Sequence, residues 1–157
     1  MAKLWVKTLN VSSNASGAAA AARQGNVVMI VDLIDMSTTA EAALEAGAID
    51  VLGASPDKCQ VPVTVNPEKI GYIAGKRAVK NKTEVVVAAE PRLINNENAK
   101  NRLDGVQFVL KGIEKAGGEL ARVVPNVGRE VTQLPDLEDK VVVVVSPSGG
   151  TAYDAAF

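Results

Sequence analysis

Apolar residues along this chain come in short runs separated by longer stretches of helical period. Residues 27–31 (Val-Val-Met-Ile-Val) are uninterrupted and predict a strand buried on both faces. Residues 140–145, with five consecutive valines, predict a second central strand. Residues 84–89 predict another buried strand, and 49–52 and 119–124 predict shorter ones. Residues 3–9 set Leu4, Val6 and Thr8 against Trp5, Lys7 and Leu9, the alternation of an edge strand carrying lysines. Residues 61–65 also alternate, although Pro62 keeps that strand out of a central ladder.

The helical stretches lie between these runs. Residues 17–23 are mostly alanine and end at Gly25-Asn26. Residues 40–46 are helical by composition, with Gly47 placed to close the helix. Asn66 and Pro67 suit the N-cap and first position of a helix striped by Ile70, Ile73, Ala74 and Ala78, in which the Gly71/Gly75 spacing favours close packing. A long helix is predicted from Asn95 or Asn96, with Ala99, Leu103, Val106, Leu110, Ile113 and Ala116 on one face and Gly117-Gly118 as its stop. Residues 152–157 begin a last helix. Residues 125–139 have no period and read as a loop. Arg129 within it could face an anion, but a solvated charge pair is favoured. Alternating strands and helices predict one α/β domain over 1–157, three-layered, with a mostly parallel sheet flanked by helices.

Two strand-to-helix turns carry candidate chemistry. The first runs from Asp32 through Asp35 to Ser37, Thr38 and Thr39. The second is Ser146-Pro147-Ser148-Gly149-Gly150-Thr151. Hydroxyls and open amides at a helix start suit an anion, and neighbouring carboxylates suit a divalent cation, so a phosphate bridged to magnesium would satisfy both. The plainer alternative is that Ser37 or Thr38 is an ordinary N-cap forming a capping box with Glu41, and that Asp32 accepts hydrogen bonds from loop amides. Both turns follow Val-rich runs expected to be central, so they should share one edge of the sheet, with any bound anion near Thr38 and Gly150.

Composition narrows the chemistry. The chain has 157 residues, 47% of them hydrophobic but only 3% aromatic, so the core is aliphatic. A net charge of -1 and few aromatics argue against a nucleic-acid partner. The absence of histidine removes His-based acid–base catalysis and His-ligated zinc from this chain. Cys59 is the only cysteine, so no disulfide forms within the chain and no cysteine cluster binds a metal. No apolar run reaches membrane-spanning length and no signal-peptide pattern opens the chain, so a cytoplasmic protein without a membrane partner is expected.

Asp32-Leu-Ile-Asp-Met-Ser-Thr-Thr39, with Ala43-Leu44 and Gly47-Ala48 behind it, resembles the first motif of the 2-phosphosulfolactate phosphatases. In that family a strand ends in Asp, a Thr-rich cluster opens a helix, and the helix closes on Gly-Ala. The valine run followed by Ser148-Gly-Gly-Thr151 resembles the second motif, a strand followed by Thr-Thr-Asn-Gly-Thr. Together the motifs cover about a third of the chain; residues 67–127 have no counterpart. Family members run longer, so the chain is expected to be a short relative or part of a larger protein.

The resemblance implies a magnesium-dependent phosphatase acting on a small phosphorylated acid. Asp32 would be the metal ligand and, with Asp35, the catalytic pair. Ser37, Thr38, Thr39, Ser148, Gly149, Gly150 and Thr151 would hold the phosphate. The family has Arg at the place of Asp35 and Asn at the place of Gly149. That motivates the alternative of a non-catalytic relative that binds a metal, small ligand or partner protein at the same face. A homo-oligomer is open in either case.

Overall fold

In the computed structural model the described residues are 6–32, 36–60, 62–90, 105–134 and 136–157. Four parallel strands form one sheet in the order β1 (Asp50–Ala54), β6 (Val141–Val145), β4 (Glu84–Ala89) and β5 (Glu119–Pro125). A two-stranded antiparallel hairpin, β2 (Cys59–Gln60) and β3 (Val63–Thr64), stands apart from it. The helices are α1 (Asn14–Arg23), α2 (Met36–Glu45), α3 (Pro67–Asn81), α4 (Gln107–Lys115) and α5 (Gly149–Ala156). A 3-10 turn, Gly128–Gln133, breaks the segment expected to be a plain loop.

The sheet has two buried faces, as its uninterrupted valines require. Val141, Val143 and Val145 pack with Val85 and Val87 against Ile70, Ala74 and Ala78 of α3 and Val109 and Ile113 of α4. Val142 and Val144 pack with Val86 and Ala88 on the opposite face, against Met36, Ala42 and Ala43 of α2 and Val131 of the 3-10 turn. This is the expected three-layer α/β fold. Asn66 caps α3 by accepting from Lys69 N at 3.0 Å, with Pro67 at the first helical position. Gly71 and Gly112 allow α3 and α4 to approach to backbone contact: a Cβ at Gly71 would sit 2.1 Å from the Val109 carbonyl oxygen.

Two predicted strands are corrected. Residues 27–31 form no strand, and Val27, Met29 and Val31 are 100%, 85% and 70% exposed. The reason lies at the β1 edge. Tyr153 of α5 borders both core clusters, which lie on opposite faces of the sheet, so α5 runs along β1 and covers the flank where a further strand would add. Residues 6–9 of the predicted first strand are likewise unpaired, with Val6 and Leu9 exposed; residues 3–5 lie outside the described residues. The long helix is seen only from Gln107, and its predicted start, with Ala99 and Leu103, lies outside them too. Arg129 pairs with Glu45 across the surface, the charge pair that the sequence favoured.

Candidate functional site

The two turns meet, although the strand expected to lead into the first is absent. The Asp32 carboxylate accepts hydrogen bonds through Oδ2 from Ser148 Oγ at 2.8 Å and from Gly149 N at 2.9 Å. Asp32 N donates to Ser37 Oγ at 2.7 Å, which folds the first turn back on itself. Met36 opens α2, so Ser37, Thr38 and Thr39 occupy its first turn rather than its cap. The capping box with Glu41 is therefore not made. The junction lies beyond the carboxyl ends of β1 and β6, the side on which open α/β sheets bind ligands.

At the start of α5 the amides already have partners. Gly149 N goes to Asp32, Gly150 N to Ser146 Oγ at 3.1 Å, Thr151 N to Ser146 O at 3.0 Å and Ala152 N to Ser148 O at 3.0 Å. Asp32 thus supplies from another segment the anion that the positive end of a helix favours. The fit is close: a Cβ at Gly149 would lie 2.5 Å from Met36 Sδ and 2.6 Å from Asp32 Oδ2, and one at Gly150 would lie 2.2 Å from the Ala54 carbonyl oxygen. Glycine is needed at Gly150, where a fixed backbone oxygen occupies the space of a side chain, whereas at Gly149 the Met36 and Asp32 side chains would have to move aside.

The candidate phosphate-binding residues divide into two sets. Ser37 is partly accessible, and Thr38 and Ser148 are exposed. Thr39, Gly149, Gly150 and Thr151 are buried. Thr39 Oγ1 donates to Asn126 Oδ1 at 2.5 Å and lies 3.2 Å from Gly128 O. Thr151 Oγ1 donates to Ser55 Oγ at 3.1 Å. Both hydroxyls therefore hold the turns to the rest of the fold. Asp35 lies outside the described residues.

Sequence reasoning missed Asn126, Ser55 and Asp154. Asp154 Oδ2 accepts from Ser55 N at 3.1 Å and Oδ1 from Asn66 N at 2.7 Å, tying the end of β1 and the start of α3 to α5. Burial raises the Asp154 carboxyl above the usual aspartate range, against the lowering effect of those two backbone hydrogen bonds. The available signal was an acid inside the apolar helix Tyr-Asp-Ala-Ala. For Asn126 it was a polar residue directly after a strand, at the carboxyl edge.

Among the described residues no group of three or more His, Cys, Asp or Glu side chains could hold a metal, and no helix is long and apolar enough to cross a membrane. Two shallow surface grooves of about 470 and about 370 Å3 lie away from the joined turns, the first at the amino ends of β4, β5 and β6 and the second beside the start of α3. The chain matches no protein-family model, no curated protein and no solved structure.

Proposed function

We propose that the face where the two turns meet binds a small phosphorylated acid, and that the protein is a magnesium-dependent phosphatase resembling the 2-phosphosulfolactate phosphatases. The observation that carries this reading is the junction of Asp32 with Ser148 and Gly149. It gathers a carboxylate, the hydroxyls of Ser37, Thr38 and Ser148, and the start of an eight-residue helix at the carboxyl edge. Magnesium commonly takes one or two carboxylates and completes its shell with water and substrate phosphate, so a single described carboxylate fits that donor set. When bound, the ion would offset phosphate charge and acidify a coordinated water. Asp32 would hold it, releasing Gly149 N to a phosphate oxygen at the helix start. Thr38 and Ser148 would donate to the remaining phosphate oxygens, and Asp35 is the proposed second catalytic carboxylate.

A specific observation favours the second reading, a non-catalytic relative. The amides at the start of α5 are all engaged within the chain, and the Cβ of the family's Asn at position 149 would displace the Asp32 and Met36 side chains. Steady-state assay of the protein with magnesium and a panel of small phosphate esters separates the two. Turnover that Asp32→Ala abolishes supports the phosphatase. Turnover equal to that of Asp32→Ala, with thermal stabilisation by magnesium retained, supports the binding-only relative.

A further inference from the structure

A second charged constellation lies outside the joined turns. The Glu68 carboxylate in the first turn of α3 is shared by three ammonium groups: Lys58 at 2.7 Å, Lys111 at 3.9 Å, and Lys115 in direct contact. Lys115, and after it Lys58, draw the Glu68 carboxyl down to about 2. Lys69, the next residue of α3, lines the same groove of about 370 Å3, with Asn66 and Tyr72 completing the wall. Three lysines therefore face one glutamate in a chain whose net charge is -1, and a fourth, Lys69, lines the groove with its ammonium over the Phe157 ring, 5.1 Å from its centre.

One carboxylate cannot neutralise this group. The lysine side chains facing Glu68 are about half exposed, at 47%, 55% and 55%, while Glu68 is 17% exposed. Exposed ion pairs of this kind contribute little to stability. Ammonium groups crowded around one anion repel one another, and that repulsion is relieved by a further anion. The positive end of α3 points the same way, since the groove includes its N-cap. Lys58 is also held over the Phe108 ring, 4.6 Å from its centre, which fixes one ammonium at the groove.

We propose that this groove, lined by Lys58, Lys69 and Lys115 around Glu68, is a binding site for a small polyanion of diphosphate type. A ligand with at least two adjacent negative groups can engage several ammonium groups at once, and lysine binds phosphate as a point charge without the planar match that arginine needs. Glu68 then acts as the internal competitor that holds the lysines together when no ligand is bound.

The test is calorimetric titration of the full chain with inorganic pyrophosphate in magnesium-free, low-salt buffer, with orthophosphate and citrate as comparison arms. Pyrophosphate should bind more tightly than orthophosphate, and the affinity should fall as salt rises. Citrate binding as tightly as pyrophosphate would assign the site to polycarboxylates and overturn the diphosphate class. Lys58→Ala and Lys115→Ala should each weaken pyrophosphate binding by about tenfold. Glu68→Gln should strengthen it severalfold because the competitor is gone; a merely structural ion-pair cluster predicts no gain. Asp32→Ala should bind pyrophosphate as the unmodified chain does, which keeps the outcome independent of the phosphatase reading. No binding to the unmodified chain, unchanged binding by both lysine variants, or loss of binding in Asp32→Ala would each overturn the proposal.

Discussion

Asp32 Oδ2 lies 2.9 Å from Gly149 N, so a residue ahead of α2 supplies the anion at the start of α5, 117 positions away in sequence. The formal N-cap of α5, Ser148, makes no side-chain cap of its own; its hydroxyl turns to the same carboxylate. The contact thus replaces a local cap with a tertiary one and closes the carboxyl edge of the sheet.

Replacing Asp32 should therefore cost stability even without ligand. Asp32→Ala removes the partner of Gly149 N and Ser148 Oγ, and loss of a cap costs about 0.5–2 kcal/mol. Asp32→Asn keeps one acceptor oxygen and should lose less. Urea unfolding followed by circular dichroism gives both numbers. Equal stability of Asp32→Ala and the unmodified chain would show that the junction does not form in solution.

The apolar run 27–31 gives a sharper contrast. Met29 is 85% exposed and Val143 is fully buried. Met29→Lys should change stability by less than about 0.5 kcal/mol, as surface substitutions do. Val143→Ala should cost upwards of about 1 kcal/mol, through lost burial and the cavity left behind. A large loss in Met29→Lys would mean that the run is buried after all.

These segments also show what the chain made legible. The valines of β6 and β4 announced buried parallel strands because no charge interrupts them, and those valines are fully buried. Asn66-Pro67 announced the start of α3 because cap chemistry is local. The run 27–31 misled because apolarity states a preference for burial and not what is available to cover it. α5, encoded more than a hundred residues later, takes the flank of β1. The meeting of the two turns was anticipated, but from the wrong premise: the Asp32 carboxylate joins them, not a pair of neighbouring strands. Asn126 and Asp154 escaped notice because their importance depends on burial and on partners distant in sequence.

Gly71 tests the packing of α3 on α4. Alanine there gains about 1 kcal/mol in helix propensity over glycine. Its Cβ, however, would meet the Val109 carbonyl oxygen at 2.1 Å, a backbone atom that moves only if the helices separate. Overpacking of this kind costs about 1–3 kcal/mol, so the net effect should be destabilising. A stabilised Gly71→Ala would show that the helices stand further apart.

Acid unfolding should report Glu68, with a small amplitude because its lysine partners are half exposed. Its carboxyl is lowered from 4.5 to about 2 by Lys115 and Lys58. A group depressed in the folded state contributes stability above its unfolded value and loses it as pH falls through the folded one, so the loss belongs between pH 4.5 and about 2. Asp154 works in the opposite direction. Its carboxyl is raised by burial, so its contribution is fully present at low pH and is lost as pH rises through the raised value. Urea midpoints measured against pH should fall less steeply below pH 4.5 in Glu68→Gln than in the unmodified chain. Parallel curves would show that the lysines do not hold Glu68 in its ionised form.

Thr39 and Asn126 form a buried polar pair between α2 and the segment leading to the 3-10 turn. Thr39 is fully buried and Asn126 is 2% exposed. With Oδ1 on the Thr39 hydroxyl, Asn126 Nδ2 has no partner. Turning the amide over would let Nδ2 donate to Thr39 Oγ1, whose own proton then serves Gly128 O at 3.2 Å. In either orientation the hydroxyl is the amide's only side-chain contact among the described residues. Thr39→Val keeps the shape and deletes that contact, so it should cost about 1–3 kcal/mol, the penalty for stranding a buried polar group. Thr39→Ser keeps the hydroxyl and should cost less. The double variant Thr39→Val/Asn126→Leu removes both polar partners and should lie closer to the unmodified chain than the two single losses added together. Additive losses across that cycle would show that the hydroxyl and the amide do not depend on each other, and that Thr39 contributes to the first turn by its volume alone.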